Sequence, residues 1–453
     1  MSLPTLFGLI SRGYFPKELP PSFNTRLLAT IAKNPTTMPV QFTSPNPSTP
    51  TKNVNHSYLS RANSRRRLGI VNPIDYTALS IDIINNWKNL RRIYNKSRVS
   101  LTSPIFGGPP RRAFSYRHAE SVDYRKTTVR SRARYLFRAD ISQFYHSVYT
   151  HSIAWALHGK SLAKQQRNNS TMLGNILDKR IRHSQDNQTM GIPIGPDISF
   201  LIAEAILSVC DERLRNLKIR NFWRWIDDYE FGCLSLQEAE SYRSALQEVL
   251  GDFELILNPD KTKIIEMPAP LENPCISYIR TFNLAGLNPD SQKYALISLF
   301  DSTFENLKSS PDVSILKFLL GKLRHFIIFE QNWSLYENLL LQSVISDPSS
   351  ISYVVDELNT YKAMSYPLHL DRINHVLDSL IILHAPINHS SEVAWSLWTQ
   401  IILGLKIGKD SIKAASRMND SIVALLLLDA YNKKLTSNNP KGRVPRALPV
   451  GEW

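Results

Sequence analysis

Two kinds of hydrophobic patterning divide this chain near residue 295. Before that point, short strand-like apolar runs are mixed with helical spacings; beyond it the strand signals fade. Ala78–Ile93 has helical spacing, with Trp87 and Leu90 on the inner face. Tyr135-Leu136-Phe137-Arg138-Ala139 predicts a strand, and Ser152–Gly159 a helix. Residues 159–187 form a polar, basic connection around a further helix. Gly191-Ile192-Pro193-Ile194-Gly195-Pro196 breaks the chain, and Asp197 is placed to cap a strongly apolar helix over Ile198–Leu217. Phe222, Trp223 and Phe231 flank Trp225-Ile226-Asp227-Asp228-Tyr229, which predicts a hairpin with its acids at the tip. Gln237–Gly251 predicts an amphipathic helix behind a Ser235/Glu238 capping pattern. Glu254–Leu257 then predicts a strand leading into Asn258-Pro259-Asp260-Lys261-Thr262-Lys263-Ile264.

The order strand, helix, helix, hairpin, helix, strand is that of a palm: an antiparallel sheet backed by helices, hence an α+β fold. Helical patterns follow over Leu316–Phe329, Leu335–Ile345, Ile373–Ile382, Val393–Leu405 and Ser421–Tyr431 without a repeat period, predicting an all-α C-terminal domain. The expected division is an N-terminal extension (1–55), the palm-containing unit (56–290), a helical domain (291–440) and an irregular tail (441–453). Pro35–Asn53 reads as an extended connector. Apolar runs near Trp398–Leu405 and Ile422–Leu428 are too short to span a bilayer, so no membrane association is expected.

At 453 residues, 43% hydrophobic and 21% charged, the chain reads as a folded protein of two or three domains. Its net charge of +15 favours a polyanionic partner such as RNA or DNA. Arg111, Arg112, Arg117, Arg125, Lys126, Arg130, Arg132, Arg134 and Arg138, interleaved with Tyr116, Tyr124 and Tyr135, form either a phosphate-binding face or a solvated surface. A second basic run, Arg65-Arg66-Arg67, feeds a short strand. Cys210, Cys233 and Cys275 lack zinc-ligand or redox spacing and are expected as reduced structural thiols. The N-terminus lacks a signal-peptide pattern, so the cytoplasm is the expected location.

Asp140 ends its strand, and Asp227 and Asp228 sit on a hairpin tip. An Asp-Asp pair alone is most often a solvated turn. Three carboxylates on neighbouring strand ends can instead hold two Mg²⁺ ions about 3.5–4 Å apart, the arrangement for nucleotidyl transfer. Hard divalent cations prefer such oxygen ligands.

Four blocks then resemble those of reverse transcriptases: Asp140-Ile141-Ser142-Gln143-Phe144-Tyr145, Gly191–Pro196 with its helix, Arg224–Tyr229, and Leu257–Lys263. The resemblance covers roughly residues 55–290. Gly13–Pro21, Tyr149-Thr150-His151-Ser152-Ile153, Gly191–Asp197 and Ile226–Gly232 are closest to the bacterial antiphage reverse transcriptases of the abortive-infection and unknown groups, whose members commonly carry a C-terminal helical domain.

The resemblance implies a right-hand polymerase with fingers and palm. It assigns Asp140, Asp227 and Asp228, with the backbone of Ile141, to Mg²⁺ (or Mn²⁺), and Lys261 to protonation of pyrophosphate, with Lys263 as competitor. It places Ile141, Ser142, Gln143, Phe144, Tyr145, Pro193, Gly195, Trp225 and Arg134 at the substrate. Tyr145 corresponds to the bulky side chain that excludes a 2′-hydroxyl, though a core aromatic fits the same pattern. Gly195 would let backbone approach the templating pair. His146 and His151 read as packing or solvent-facing residues, and Trp155, Trp223 and Trp225 as core aromatics rather than base-stacking platforms. Implied partners are dNTPs, RNA or DNA including a non-coding RNA, DNA covalently primed from the protein, and further copies of the chain.

Two positions depart from the family pattern. Trp225 replaces the usual tyrosine before the acid pair, and Ile194 replaces the glutamine of Pro-Gln-Gly. The second change removes a polar contact near the incoming nucleotide and leaves template-independent synthesis open beside RNA-directed synthesis in antiphage defence. The alternatives are a group II intron or retron enzyme and a non-catalytic RNA-binding scaffold.

Overall fold

The structure, a computed structural model, describes residues 3–33, 36, 38–61, 64–116, 120–309 and 314–436. Arg117 and the tail beyond residue 436 lie outside the described residues.

At the centre stands a four-stranded antiparallel sheet, ordered Phe222–Trp225, Asp228–Cys233, Tyr135–Asp140, Lys263–Glu266. Tyr135–Asp140 is an inner strand with partners on both sides. Its Leu136 and Phe137 are fully buried, on opposite faces as the period of two requires. Phe137, Phe231 and Phe222 stack across three strands, with centroids 5.1 and 4.8 Å apart. The hairpin Phe222–Cys233 forms as its aromatic flanks predict.

Helices Asp197–Asn216 and Leu236–Gly251 back this sheet. The first is buried on nearly every side, which accounts for its almost unbroken apolar run. Ser235 caps the second by accepting the Glu238 N–H at 3.1 Å, and the Glu238 carboxylate accepts the Leu234 N–H at 2.6 Å. Asp197 corrects the expectation: Pro196 occupies the cap position and Asp197 is the first helical residue. Its carboxylate accepts instead from Ala113 N–H (2.6 Å) and Phe114 N–H (3.0 Å) and pairs with Arg112 (3.0 Å). Backbone amides from a distant segment outcompeted the local ones.

Two further expectations are corrected. The helix expected over 78–93 is two helices, Pro73–Asn85 and Trp87–Tyr94, and Asn72 accepts the Ile74 N–H at the first one's start. Glu254–Leu257 is not a strand. Glu254 has φ +62°, and only Leu257 bridges to Ile141, so the ladder is made by Lys263–Glu266.

A hairpin, Val54–Arg61 with Ser64–Ile70, stands beside the sheet. Leu9, Ile10, Tyr14 and Leu19 of the first twenty residues are buried in the shared core, and the Tyr14 hydroxyl donates to the Val71 carbonyl at 2.5 Å. Helices from Pro289–Ser309 to Ser421–Asn432 form the C-terminal part. It docks on the hairpin through Arg65–Glu392, His56–Asp420 and the Ser391 hydroxyl at Leu59 N–H. Trp395 also donates to the Glu18 carbonyl at 2.9 Å. Cys210, Cys233 and Cys275 are buried and unpaired. Among the described residues no helix is long and apolar enough to cross a membrane.

Candidate active site

Strand register brings the three acids together. Asp140 ends the central strand directly opposite Asp228, and Asp227 precedes Asp228 in the tight turn. Ile226 takes φ +54° there, a conformation costly for a β-branched residue. Arg224 supports it: fully buried, it donates to the Ile226 carbonyl (2.8 Å) and pairs with Glu204 and Asp211, both at 2.8 Å. Burial opposes its charge, but Asp211 and Glu204 outweigh that and hold the guanidinium well above its ordinary pKa. Tyr229 OH donates to Asp211 (3.1 Å), and the Ser100 and Thr102 hydroxyls donate to Glu204 (2.6 and 3.1 Å).

Like charges in a restricted space resist ionisation. Burial, then Asp227 and Asp140, push the Asp228 carboxyl up to about 7. Burial and Asp140 also raise Asp227. The half-exposed ammonium of Lys261 sits 2.8 Å from Asp140 Oδ2. A cation thus already rests on one of the acids, and three oxygen donors with two raised carboxyls suit divalent cations.

Lys261 is held there because Asn258 N–H donates to the Asp140 carbonyl and Ser142 N–H to the Ile256 carbonyl, both at 2.8 Å. Ile141 is buried and pairs with Leu257. Gln143 takes φ +43°, Phe144 is buried, and Tyr145 is half-buried against the core. Burial raises the Tyr145 phenol; Arg112 opposes this and Asp227 adds to it, which puts Tyr145 in the electrostatic field of the acids.

The Gly-Ile-Pro-Ile-Gly-Pro segment lies alongside. Ile192 N–H donates to the Tyr145 carbonyl and Gly191 N–H to Val148, both at 2.8 Å. Gly69 N–H donates to the Ile194 carbonyl at 2.9 Å, and a side chain on Gly69 would strike Pro193. Gly195 has φ +119°, and the space its side chain would need is filled by Pro16, whose Cγ lies 2.4 Å from an ideal Cβ position. The group that closely approaches Gly195 is therefore the N-terminal segment. Trp225 is half-buried, its ring edge-on to Tyr116 at 4.9 Å.

Arg134 is corrected. It precedes the opposite end of the central strand, where its backbone bonds to Cys233 and Met267. Asp140 lies six positions further along, roughly 20 Å at about 3.3 Å per residue. The basic run is likewise not one phosphate-binding face. Arg130 and Arg138 converge on Glu230, Arg112 pairs with Asp197, and Arg111 lies beside the Pro16 and Pro20 carbonyls. Arg125, Arg132 and Arg134 remain exposed or half-exposed, and Lys126 lies over the Trp223 ring. His151 pairs with Asp178 at 2.8 Å, and Trp155 and Trp223 are buried.

Arg66 was missed. Exposed on the N-terminal hairpin, its charge lowers both Asp227 and Tyr145. The run Arg65-Arg66-Arg67 carried the signal, but only the folded hairpin distinguishes Arg66 from Arg65, which pairs with Glu392. A cavity of about 530 Å³ opens beside Asp140, Asp228 and Lys261, lined also by Lys126, Trp223 and Arg280.

The family model described as "Reverse transcriptase (RNA-dependent DNA polymerase)" matches residues 62–294, just over half of the chain. No curated protein matches. Among solved structures, an apo telomerase from Candida Tropicalis truncated from its C-terminal domain is 12% identical, with TM-score 0.35, over 49% of this chain and 51% of that one. Telomerase from the same organism in complex with a TWJ fragment of telomeric RNA is 11% identical, with TM-score 0.33, over 83% of this chain and 64% of that one. The chain thus spans about half of the first structure and just under two thirds of the second. With the family match covering the central sheet and all three acids, the chain belongs to the reverse transcriptase family, whose chemistry is nucleotidyl transfer.

Proposed function

We propose that this protein is a DNA polymerase that joins dNTPs by two-metal catalysis, RNA-directed or template-independent, acting in antiphage defence. The observation that carries the reading is the pairing of Asp140 with Asp228 across adjacent strands, with Asp227 in the intervening turn. Asp140, Asp227 and Asp228 would hold divalent cations, Mg²⁺ or Mn²⁺, with the Ile141 carbonyl as a further oxygen donor. When bound, these ions supply charge neutralisation at the triphosphate and acidify the primer hydroxyl.

The chain's own residues do the rest. Arg66, whose charge acts on Asp227 from the hairpin, would balance triphosphate charge. Tyr145 lies under the sugar and excludes a 2′-hydroxyl by bulk. Lys261, which pairs with Asp140 at 2.8 Å, would be free to give its proton to departing pyrophosphate once Asp140 served as a cation ligand. Ser142 contributes through its backbone tie to Ile256, which sets the turn carrying Gln143, Phe144 and Tyr145. Pro193 would form the floor beside the base pair, with Gly195 held against Pro16 behind it, and Trp225 would help position the primer end.

The defence role rests on the resemblance of the Gly13–Pro21 and Gly191–Asp197 stretches to that branch. RNA or DNA partners, a protein hydroxyl as primer, assembly with further copies and a cytoplasmic location belong to the same reading, as does the division at residues 55, 290 and 440. The test is incorporation of labelled dNTPs by purified protein with Mg²⁺ or Mn²⁺, with and without RNA template, followed by phage plating on cells carrying wild type or Asp227→Ala. Synthesis and protection that both vanish in the variant support the reading. No incorporation under any template and primer condition overturns it.

A further inference from the structure

A second cluster of donor groups lies at the corner between helices Leu370–His384 and Ser390–Leu403. His384 ends the first helix and His389 immediately precedes the second. The short turn Ala385–Ile387 and a left-handed Asn388 (φ +53°) reverse the chain, so the two imidazoles stack with centroids 5.3 Å apart. Glu392, one turn into the second helix, faces both rings.

One donor atom from each residue falls within 4.8 Å of the others. The separations are 3.0 Å between the two Nδ1 atoms, 3.6 Å from His389 Nδ1 to Glu392 Oε1, and 3.9 Å from His384 Nδ1 to the same oxygen. A tetrahedral zinc ion with bonds of about 2.0–2.1 Å spaces its ligand atoms about 3.3–3.4 Å apart, inside that range.

The two Nδ1 atoms face each other at hydrogen-bond distance. Two neutral rings facing each other through the same nitrogen share a single proton between them. Among the described residues His384 Nε2 is buried without a partner, so none of them fixes the tautomer from that side.

The carboxylate is oriented from outside. Arg65 of the N-terminal hairpin donates to Oε1 and Oε2 at 2.6 and 2.9 Å, and the Ser391 hydroxyl donates to Oε2 at 2.7 Å. Such partners aim a ligand and tune its basicity. Arg65 also competes, because its charge and a metal's charge share Oε1.

We propose that His384, His389 and Glu392 form a three-ligand site for a zinc-class divalent cation, with water completing the tetrahedron. The site lies where the C-terminal helices dock on the hairpin that carries Arg66. Cation binding and the Arg65–Glu392 pair are therefore thermodynamically linked: each weakens the other.

The test is titration of the chelator-stripped, full-length protein with Co²⁺ and then Zn²⁺, in excess Mg²⁺ to occupy the catalytic acids. Wild type should take one equivalent of Co²⁺ with the intense visible absorption of four-coordinate cobalt, and Zn²⁺ should displace it. His389→Ala, at a partly exposed position, should weaken Zn²⁺ binding at least about 100-fold, since even outer partners of a ligand are worth 10–100-fold. Arg65→Gln should strengthen binding. If His389→Ala does not fold, His389→Asn and the Arg65→Gln comparison decide. Absence of four-coordinate Co²⁺ in wild type, or equal affinity in wild type and the His389 variants, overturns the proposal.

Discussion

Asp228 offers the sharpest test of the acid cluster, because its carboxyl stands at about 7 without metal. Below that pH it carries a proton that a divalent cation must displace. For one competing proton the apparent Mg²⁺ dissociation constant scales as 1 + 10^(7 − pH). It is then roughly 1.1 times its limiting value at pH 8, about twofold at pH 7 and about elevenfold at pH 6. Calorimetric Mg²⁺ titration in buffers of different ionisation enthalpy reads both the affinity and the proton released. The expected result is about tenfold weaker binding at pH 6 than at pH 8, with close to one proton released per metal at the lower pH. Lys261 lowers the Asp228 pKa, so in Lys261→Ala the midpoint should move upward. The same shift acts on stability. Folding raises this carboxyl above its unfolded value near 3.8, so the native state binds more protons than the unfolded one between about 4 and 7. Its contribution is therefore favourable at acid pH and is lost as pH rises through 7. Metal-free Asp228→Asn should gain on wild type in thermal midpoint over that window. An Mg²⁺ constant that changes less than about twofold between pH 6 and 8 refutes the clustering argument.

Four further outcomes follow from the same geometry. Asp227→Asn should reduce dNTP incorporation by about 10³-fold or more while circular dichroism stays near wild type and the metal-free thermal midpoint is equal to or above it, since the residue sits in a turn and loses only repulsion. Arg224→Met leaves Glu204 and Asp211 buried without their cation and should cost about 3–5 kcal/mol by urea unfolding; a loss below about 1 kcal/mol contradicts the ion cluster. Tyr145→Ala should erode selection of deoxynucleotides over ribonucleotides by roughly 10–200-fold, read as the ratio of kcat/KM values. Gly195→Ala forces a methyl into Pro16 at a backbone angle that disfavours side chains, and should cost about 1–3 kcal/mol and expose the first twenty residues to protease.

The candidate site was legible where its chemistry is local in sequence. Asp140 follows five strand-forming residues, and the Asp227-Asp228 turn lies between aromatic flanks, so period and turn signals place all three acids without help from any tertiary contact. Legibility failed where partners come from afar. Asp197 has the sequence context of a cap, yet amides more than eighty residues away claim its carboxylate. Arg134 shares a basic run with Arg138, but strand rise carries it to the wrong end of the sheet. Glu254–Leu257 has strand composition, and one left-handed residue diverts it. Arg66 and Arg224 were invisible for opposite reasons. One is a surface cation whose role depends on how a hairpin leans; the other is a buried cation whose two acids lie on a helix upstream.

The contact between Pro16 and Gly195 has a bearing on biogenesis. Pro16 emerges from the ribosome early, but the loop carrying Gly195, against which it packs, is made some 180 residues afterwards. At about 5–20 residues per second that interval is roughly 10–35 s, during which the turn around Pro16 lacks this partner. Nascent chains of this protein should therefore engage holding chaperones early and release them only when the stretch around residue 200 has been synthesised.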